Sequence, residues 1–133
     1  MKPEHFETVT RDFTLNGRQF VAKVEISTVY DDCIDFEYLS HGLTPAETTK
    51  LGRELDNGNI SPMILIVKAT CDTIPDLNGN DSLGAVLVRS RSDVTEAVSD
   101  HGMIENAIEE LIASYSLELD AARVKVRRLE SLA

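Results

Sequence analysis

The dipeptide Asn16-Gly17 constrains the fold of this chain more than any other sequence feature. It separates two runs in which apolar and polar residues alternate, and Asn-Gly is typical of the two-residue type I′ turn of a β-hairpin. If Leu15 pairs with Arg18 across the turn, the register of both strands follows. One face of the hairpin then carries Val9, Phe13, Phe20, Ala22, Val24 and Ile26, with Phe13 opposite Phe20.

Two further elements are predicted between the hairpin and the middle of the chain. Residues 33–39 alternate again and predict a third strand, with Ile34, Phe36 and Tyr38 on one face. Residues 44–47 combine a Thr for the N-cap, Pro at the first helical position and Glu three residues after the cap, which together form a capping box. We therefore expect a short helix to begin there and to end near Gly58, which suits the left-handed residue after a helix.

The centre of the sheet is predicted from two apolar runs. Residues 64–67 form a continuous aliphatic run after Pro62, which is typical of a strand buried on both faces. Residues 83–88 form a second run, beyond a polar loop at residues 72–81. Because this connection is too short for a helical crossover, we expect the two strands to be antiparallel neighbours.

From Ser92 onward the apolar residues recur every three or four positions, which is the helical period. Ser92 or Asp93 suits the N-cap, and Gly102 is expected to divide the segment into a short and a long helix. The long helix has an apolar stripe over residues 104–129, about 38 Å at 1.5 Å per residue. A globule of this size has a radius of gyration of about 14 Å, so the helix either bends near Ser114 and Ser116 or reaches a partner. The stripe residues assigned to a dimer or partner contact are Ile108, Leu111, Tyr115, Leu119 and Val126.

These elements predict an α+β fold in the order β-β-β-α-β-β-α. The antiparallel sheet is expected to form a two-layer sandwich with the long C-terminal helix. With 133 residues, of which 42% are apolar, the chain is expected to form a single α+β domain over residues 1–133.

The chain is acidic, and its charge is unevenly distributed. It carries 23 Asp and Glu against 13 Lys and Arg, for a net charge of −10. The last eleven residues have a net charge of +3, from Arg123, Lys125, Arg127 and Arg128 against Glu130, which leaves −13 for the first 122 residues. Because this acidic body repels a phosphate backbone, we expect no direct binding to nucleic acid.

The start of the chain, MKPEHFETVT, has no apolar segment of the kind found in signal peptides. The longest apolar run, residues 63–67, is far shorter than the stretch of about 20 residues that crosses a membrane. We therefore expect a cytoplasmic protein without a membrane segment, in which Cys33 and Cys71 are reduced thiols.

Motifs for metal, nucleotide or catalytic chemistry are missing from the sequence. The three histidines are far apart and form no HExxH pattern, and no Gly-rich phosphate loop is present. Residues 72–81 place oxygen side chains around Gly79, but the positions that an EF-hand requires are wrong, and an Asn-Gly turn is the simpler interpretation. A nucleophilic pair of Cys71 with His41 or His101 stays open, because such partners meet in space rather than in sequence. We expect no metal, no cofactor and no catalytic residue.

An acidic cluster at Asp31, Asp32, Asp35 and Glu37 has two interpretations. It is either a contact surface for a basic partner or a set of charges that protects an edge strand from aggregation. The first interpretation assigns these four residues to partner binding.

The function expected from these features is a non-enzymatic protein-binding module, namely a small acidic adaptor, chaperone or inhibitor. One form is a phage-type inhibitor whose acidic surface occupies the basic groove of a nucleic-acid enzyme. The expected partners are another protein and, because two-fold dimers dominate oligomers, a second copy in a homodimer. The alternatives are a small-ligand-binding or hydrolytic domain that uses residues 72–81 with Cys71 or His101 nearby, and a structural subunit of a larger assembly.

Overall fold

A computed structural model describes residues 2–132, with Glu118 described by its backbone alone. The elements in chain order are β1 (Glu4–Leu15), β2 (Arg18–Tyr30), α1 (Phe36–Leu39), α2 (Pro45–Asp56), β3 (Ser61–Thr70), β4 (Asn78–Val88), α3 (Arg91–Asp100) and α4 (Met103–Leu132). The four strands form one antiparallel sheet in the order β1-β2-β3-β4, and α4 packs on β4. The predicted α+β class, with an antiparallel sheet and a long C-terminal helix, is confirmed.

The chain divides into two compact units. The first consists of the residues up to Glu7, Ile26–Ile66 and Ser82–Met103. The second consists of Thr8–Glu25, Val67–Asp81 and the chain from Ile104 onward. That residues 1–133 form a single domain stays a prediction.

The hairpin of β1 and β2 has the predicted turn and register. Asn16 and Gly17 both have positive φ, 52° and 73°, as a type I′ turn requires. Phe13 and Phe20 stack with their ring centroids 5.6 Å apart, which confirms that they lie opposite each other. The side chains of the predicted apolar face that are buried are Phe13, Ala22, Val24 and Ile26.

We expect the double substitution Asn16→Ala, Gly17→Ala to lower the free energy of unfolding by about 2 kcal/mol, because a side chain with a Cβ is strained at positive φ. Asn16→Gly is the matched control: it also removes the hydrogen bond from Asn16 Nδ2 to Tyr115 Oη (3.2 Å), but it tolerates positive φ. Urea denaturation measures both variants. If the double variant is as stable as the control, the turn does not determine the stability of the hairpin.

The third strand predicted at residues 33–39 is wrong, because part of this segment forms the short helix α1. Asp35 is its N-cap, and the Asp35 carboxylate accepts a hydrogen bond from the Glu37 N–H at 2.9 Å. An Asp side chain that bonds to nearby backbone offers the chain an alternative to a sheet ladder. The alternation of apolar residues was therefore a misleading signal here.

The helix α2 begins with the predicted capping box. The Glu47 N–H donates to Thr44 Oγ1 at 3.2 Å, and the Thr44 N–H donates to Glu47 Oε1 at 3.1 Å. The hydrogen bond from the Thr44 backbone lowers the pKa of Glu47, because it stabilises the charged carboxylate. Gly58, with a φ of 74°, follows the helix in the left-handed conformation that was predicted.

The strands predicted at residues 64–67 and 83–88 are confirmed as parts of the adjacent strands β3 and β4, but only β3 lies inside the sheet, because β4 is its edge strand. The loop between them is shorter than predicted, because β4 begins at Asn78. Within β4 the buried Gly79 lies between the exposed Asn78 and Asn80, so the segment alternates like a strand although its inward residue has no side chain. The interpretation of Asn78-Gly79 as a turn is therefore wrong.

The C-terminal segment is divided as predicted, because Gly102, with a φ of 58°, lies between α3 and α4. The N-cap of α3 is Ser90, two residues earlier than predicted, and Asp93 instead accepts hydrogen bonds from the backbone of Arg89 and Ser90. The helix α4 then runs for 30 residues without interruption, about 45 Å at 1.5 Å per residue. It is not broken near Ser114 and Ser116.

Candidate interaction surface

The first half of α4 is anchored in the protein. Met103, Ala107 and Leu111 are completely buried and follow one another at intervals of four residues. Close packing at this face depends on Gly79, since a Cβ there would overlap the carbonyl oxygen of Ala107. This half of the helix therefore belongs to the core.

Polar contacts extend the anchored half of α4 as far as Tyr115. The Ser114 hydroxyl donates to the backbone carbonyl of Asn78 at 3.2 Å. Tyr115 Oη accepts the hydrogen bond from Asn16 Nδ2 in the hairpin turn. The tip of the hairpin and the middle of α4 are thus joined in the second unit.

The second half of α4 is exposed to solvent. Every residue from Asp120 to Leu132 is exposed. Among the described residues beyond Tyr115, the polar interactions stay within α4, as in the ion pair between Arg123 and Asp120 at 3.9 Å. The large apolar residues in this half include Leu117 (72% exposed), Val124 (46%), Val126 (52%), Leu129 (69%) and Leu132 (83%).

The exposed half of α4 lacks the packing that usually stabilises a helix of this length. Helices in proteins are stabilised mainly by the packing of an apolar face, and isolated helices of about 15 residues are marginal in water. Residues 120–132 have no such packing within the described part of the chain. A concentration of exposed apolar side chains is typical of protein interaction sites.

The structure divides the five stripe residues assigned to a dimer or partner contact. Leu111 is completely buried in its own chain and is not available to a partner. Ile108, Tyr115 and Leu119 are partly buried, and Val126 is exposed. Helical spacing predicts one stripe along the helix, but it does not say how many turns of that stripe the sheet covers.

The residues of the predicted acidic cluster have separate local roles. Asp31 is buried, and Asp31 Oδ2 accepts a hydrogen bond from the Ala85 N–H at 3.0 Å. This bond holds the backbone of β4 where Ala85 has a positive φ of 58°. Asp35 caps α1, Asp32 accepts a hydrogen bond from the Cys33 thiol, and Glu37 is exposed. The structure does not bring the four carboxylates together on a strand.

The two cysteines differ in their surroundings. Cys33 is exposed, and its Sγ lies 3.5 Å from Asp32 Oδ1. This hydrogen bond and the charge of Asp32 raise the pKa of the Cys33 thiol, which keeps it protonated and lowers its reactivity. Cys71 is buried, with its Sγ 3.2 Å from Thr73 Oγ1.

A cleft of about 710 Å³ lies beside the turn that follows β3. It is lined by Cys71, Asp72 and Thr73, by Thr8 and Thr10 of β1, and by residues of β2 that include Val21 and Lys23. Of the loop predicted to bind a small ligand, only this first part lines the cleft, because residues 78–81 belong to β4. Cys33 and Glu47, whose pKa values are displaced, do not line it.

Neither a metal-binding cluster nor a membrane-spanning helix occurs in the described part of the chain. Between residues 2 and 132, no three His, Cys, Asp or Glu side chains are arranged to hold a metal ion. No helix in this range is both long and apolar enough to cross a membrane.

Comparison of the chain with protein-family models, with curated proteins and with solved structures finds no match.

Proposed function

We propose that this chain is a non-enzymatic protein-binding module, a small acidic adaptor, chaperone or inhibitor. The observation that carries the proposal is the exposed apolar stripe on residues 116–132 of α4, a helix whose first half is built into the core. A rigid helix that displays apolar side chains suits binding to another protein, because such contacts bury helical apolar faces. The proposal places an apolar contact on α4 and a charged contact on the acidic body as a whole, rather than on the acidic cluster at residues 31–37.

The negative charge of the acidic body indicates which kind of partner makes the charged contact. The first 122 residues carry −13, which favours a protein with a basic surface and disfavours nucleic acid. A nucleic-acid enzyme has such a surface in its substrate groove, and this supports the narrower proposal of a phage-type inhibitor. An adaptor or chaperone would use the same charge to attract a basic segment of its partner.

The proposal is tested by affinity capture from a lysate of the source cells at low and high salt, followed by mass spectrometry. We expect one or a few proteins with basic surfaces to be retained at low salt and released at high salt, because salt screens exposed charges. An unrelated folded protein of the same net charge is the control for ion exchange. If both baits retain the same proteins, or neither retains any, the proposed interaction through the acidic body is wrong.

A second candidate function is a small-ligand-binding or hydrolytic domain, and the observation that favours it is the cleft beside Cys71, Asp72 and Thr73. Pockets of this volume hold drug-sized molecules. A thermal-shift screen with a small-metabolite set would be expected to reveal a ligand for the unmodified chain. Val21→Trp fills the cleft from an exposed position and should abolish that shift. A ligand that stabilises both proteins equally does not bind in this cleft.

A further inference from the structure

The apolar residues of α4 continue at helical spacing beyond the part of the helix that is buried. Met103, Ala107 and Leu111 are separated by four residues each. From Tyr115 the intervals are four, three, four and three, through Leu119, Ala122, Val126 and Leu129. A mean interval of 3.5 residues is the heptad repeat, which keeps an apolar seam on one side of two supercoiled helices.

The residue types in this repeat suit a two-stranded coiled coil. Leu119 and Val126 occupy position a of the heptad, and position d holds Tyr115, Ala122 and Leu129. A β-branched residue at a, followed by Leu at d, favours two strands, and Val126 with Leu129 provides this pair. The segment from Tyr115 to Leu132 is about 27 Å long at 1.5 Å per residue.

The flanking charges are complementary between two parallel copies. In a parallel pair, position g of one helix lies beside position e of the following heptad in the other helix. Lys125 occupies g and Glu130 the following e, so each Lys125 meets the Glu130 of a second copy. Within one chain these residues are five apart, which is not the spacing of neighbours on a helix surface. Their attraction is therefore available only between chains.

We infer that residues 115–132 of α4 pair in parallel with the same residues of a second copy, as a short two-stranded coiled coil. The inference rests on the proposed function and names the occupant of the exposed stripe. Two-fold pairing buries Val126 and Leu129 of both copies and leaves both acidic bodies at the same end, each available to a basic partner. Only about two and a half heptads are paired, so the dimer is in reversible equilibrium with the monomer.

Val124 provides a matched control for this surface. It lies at position f, on the outer side of the pair, two residues from Val126. In one copy the two valines are similarly exposed, 46% and 52%, so the same substitution perturbs an isolated protomer to a similar extent. A difference between the two variants therefore reports on pairing.

Sedimentation equilibrium of the purified full chain measures the dimer dissociation constant. We expect Val126→Glu to raise the constant by about tenfold or more, because it places two carboxylates in the seam. Val124→Glu should change it by less than about twofold, because its carboxylate stays in water. Circular dichroism and thermal unfolding check that both variants keep the fold.

The parallel orientation is tested by exchanging the charges of Lys125 and Glu130. We expect Lys125→Glu and Glu130→Lys each to raise the dissociation constant by about threefold, because each replaces two attractive pairs by repulsive ones. The double variant carries both changes and should restore the original constant. If it is weaker than either single variant, the helices are not parallel in this register.

Self-pairing and the proposed function fail in different ways. A chain that stays monomeric at every concentration, or that is weakened equally by Val124→Glu and Val126→Glu, overturns the coiled coil. If that monomeric chain still retains a salt-sensitive partner, the protein-binding module stands. A reversible dimer that retains nothing supports the coiled coil and overturns the contact through the acidic body.

Discussion

Gly79→Ala should lower the free energy of unfolding by about 3 kcal/mol, the upper part of the range for overpacked cores. The added Cβ would overlap the carbonyl oxygen of Ala107 and lie 2.5 Å from the Leu111 nitrogen. Both are backbone atoms of α4, which cannot turn aside as a flexible side chain does. The helix must therefore move away from β4, and the packing of its neighbours is lost with it.

Gly52→Ala is the control for the Gly79 substitution. Its Cβ would lie 3.5 Å from Phe36 Cζ, an ordinary van der Waals distance, and the position is inside α2. Because Ala is the better helix former, we expect this variant to be about 0.5 to 1 kcal/mol more stable than the unmodified chain. Urea denaturation measures both. Equal stability of the two Ala variants would contradict the close approach of α4 to β4.

Leu111→Ala should destabilise the protein by about 3 kcal/mol, because it leaves a cavity under a completely buried side chain. The matched control is Leu117→Ala, six residues further along the same helix, where the side chain is 72% exposed. That variant should change the stability by less than about 0.5 kcal/mol. Thermal and urea unfolding measure the difference. Similar losses at both positions would mean that α4 is anchored further along than Tyr115.

The contrast between the buried and the exposed half of α4 decides which substitutions report on partner binding. An Asp at position 111 would place a charge in the core of its own chain, so a loss of dimer in that variant would reflect unfolding. Ile108 is partly buried in the same half of the helix and has the same drawback. Substitutions from Asp120 onward, where every described residue is exposed, separate binding from folding.

Local signals with a single structural solution were predicted correctly from the sequence. Asn16-Gly17 is one, because few other dipeptides accept two successive positive φ values, and the turn then determines the pairing of Phe13 with Phe20. The capping box at Thr44 and the break at Gly102 are of the same kind. In each, the deciding hydrogen bonds or dihedral angles involve residues within a few positions of one another.

Signals with two local solutions were resolved only by the rest of the fold. Residues 33–39 alternate like a strand, but Asp35 can cap a helix, and the segment becomes α1. The dipeptide Asn78-Gly79 looks like a turn, but Gly79 is a strand residue. Because it has no side chain, the backbone of α4 can approach β4 closely there. The choice depends on neighbours that are distant in sequence, such as Ala107.

What the sequence by itself determined is the α+β class, the hairpin with its register and the apolar stripe of the last helix. These follow from turn chemistry and from the periods of strands and helices, which are properties of consecutive residues. What only the tertiary structure decided is that complete burial along α4 ends at Leu111 and that Val126 and Leu129 are exposed. Periodicity shows that a helix has an apolar face, whereas the cover for each turn of that face depends on which other elements reach it.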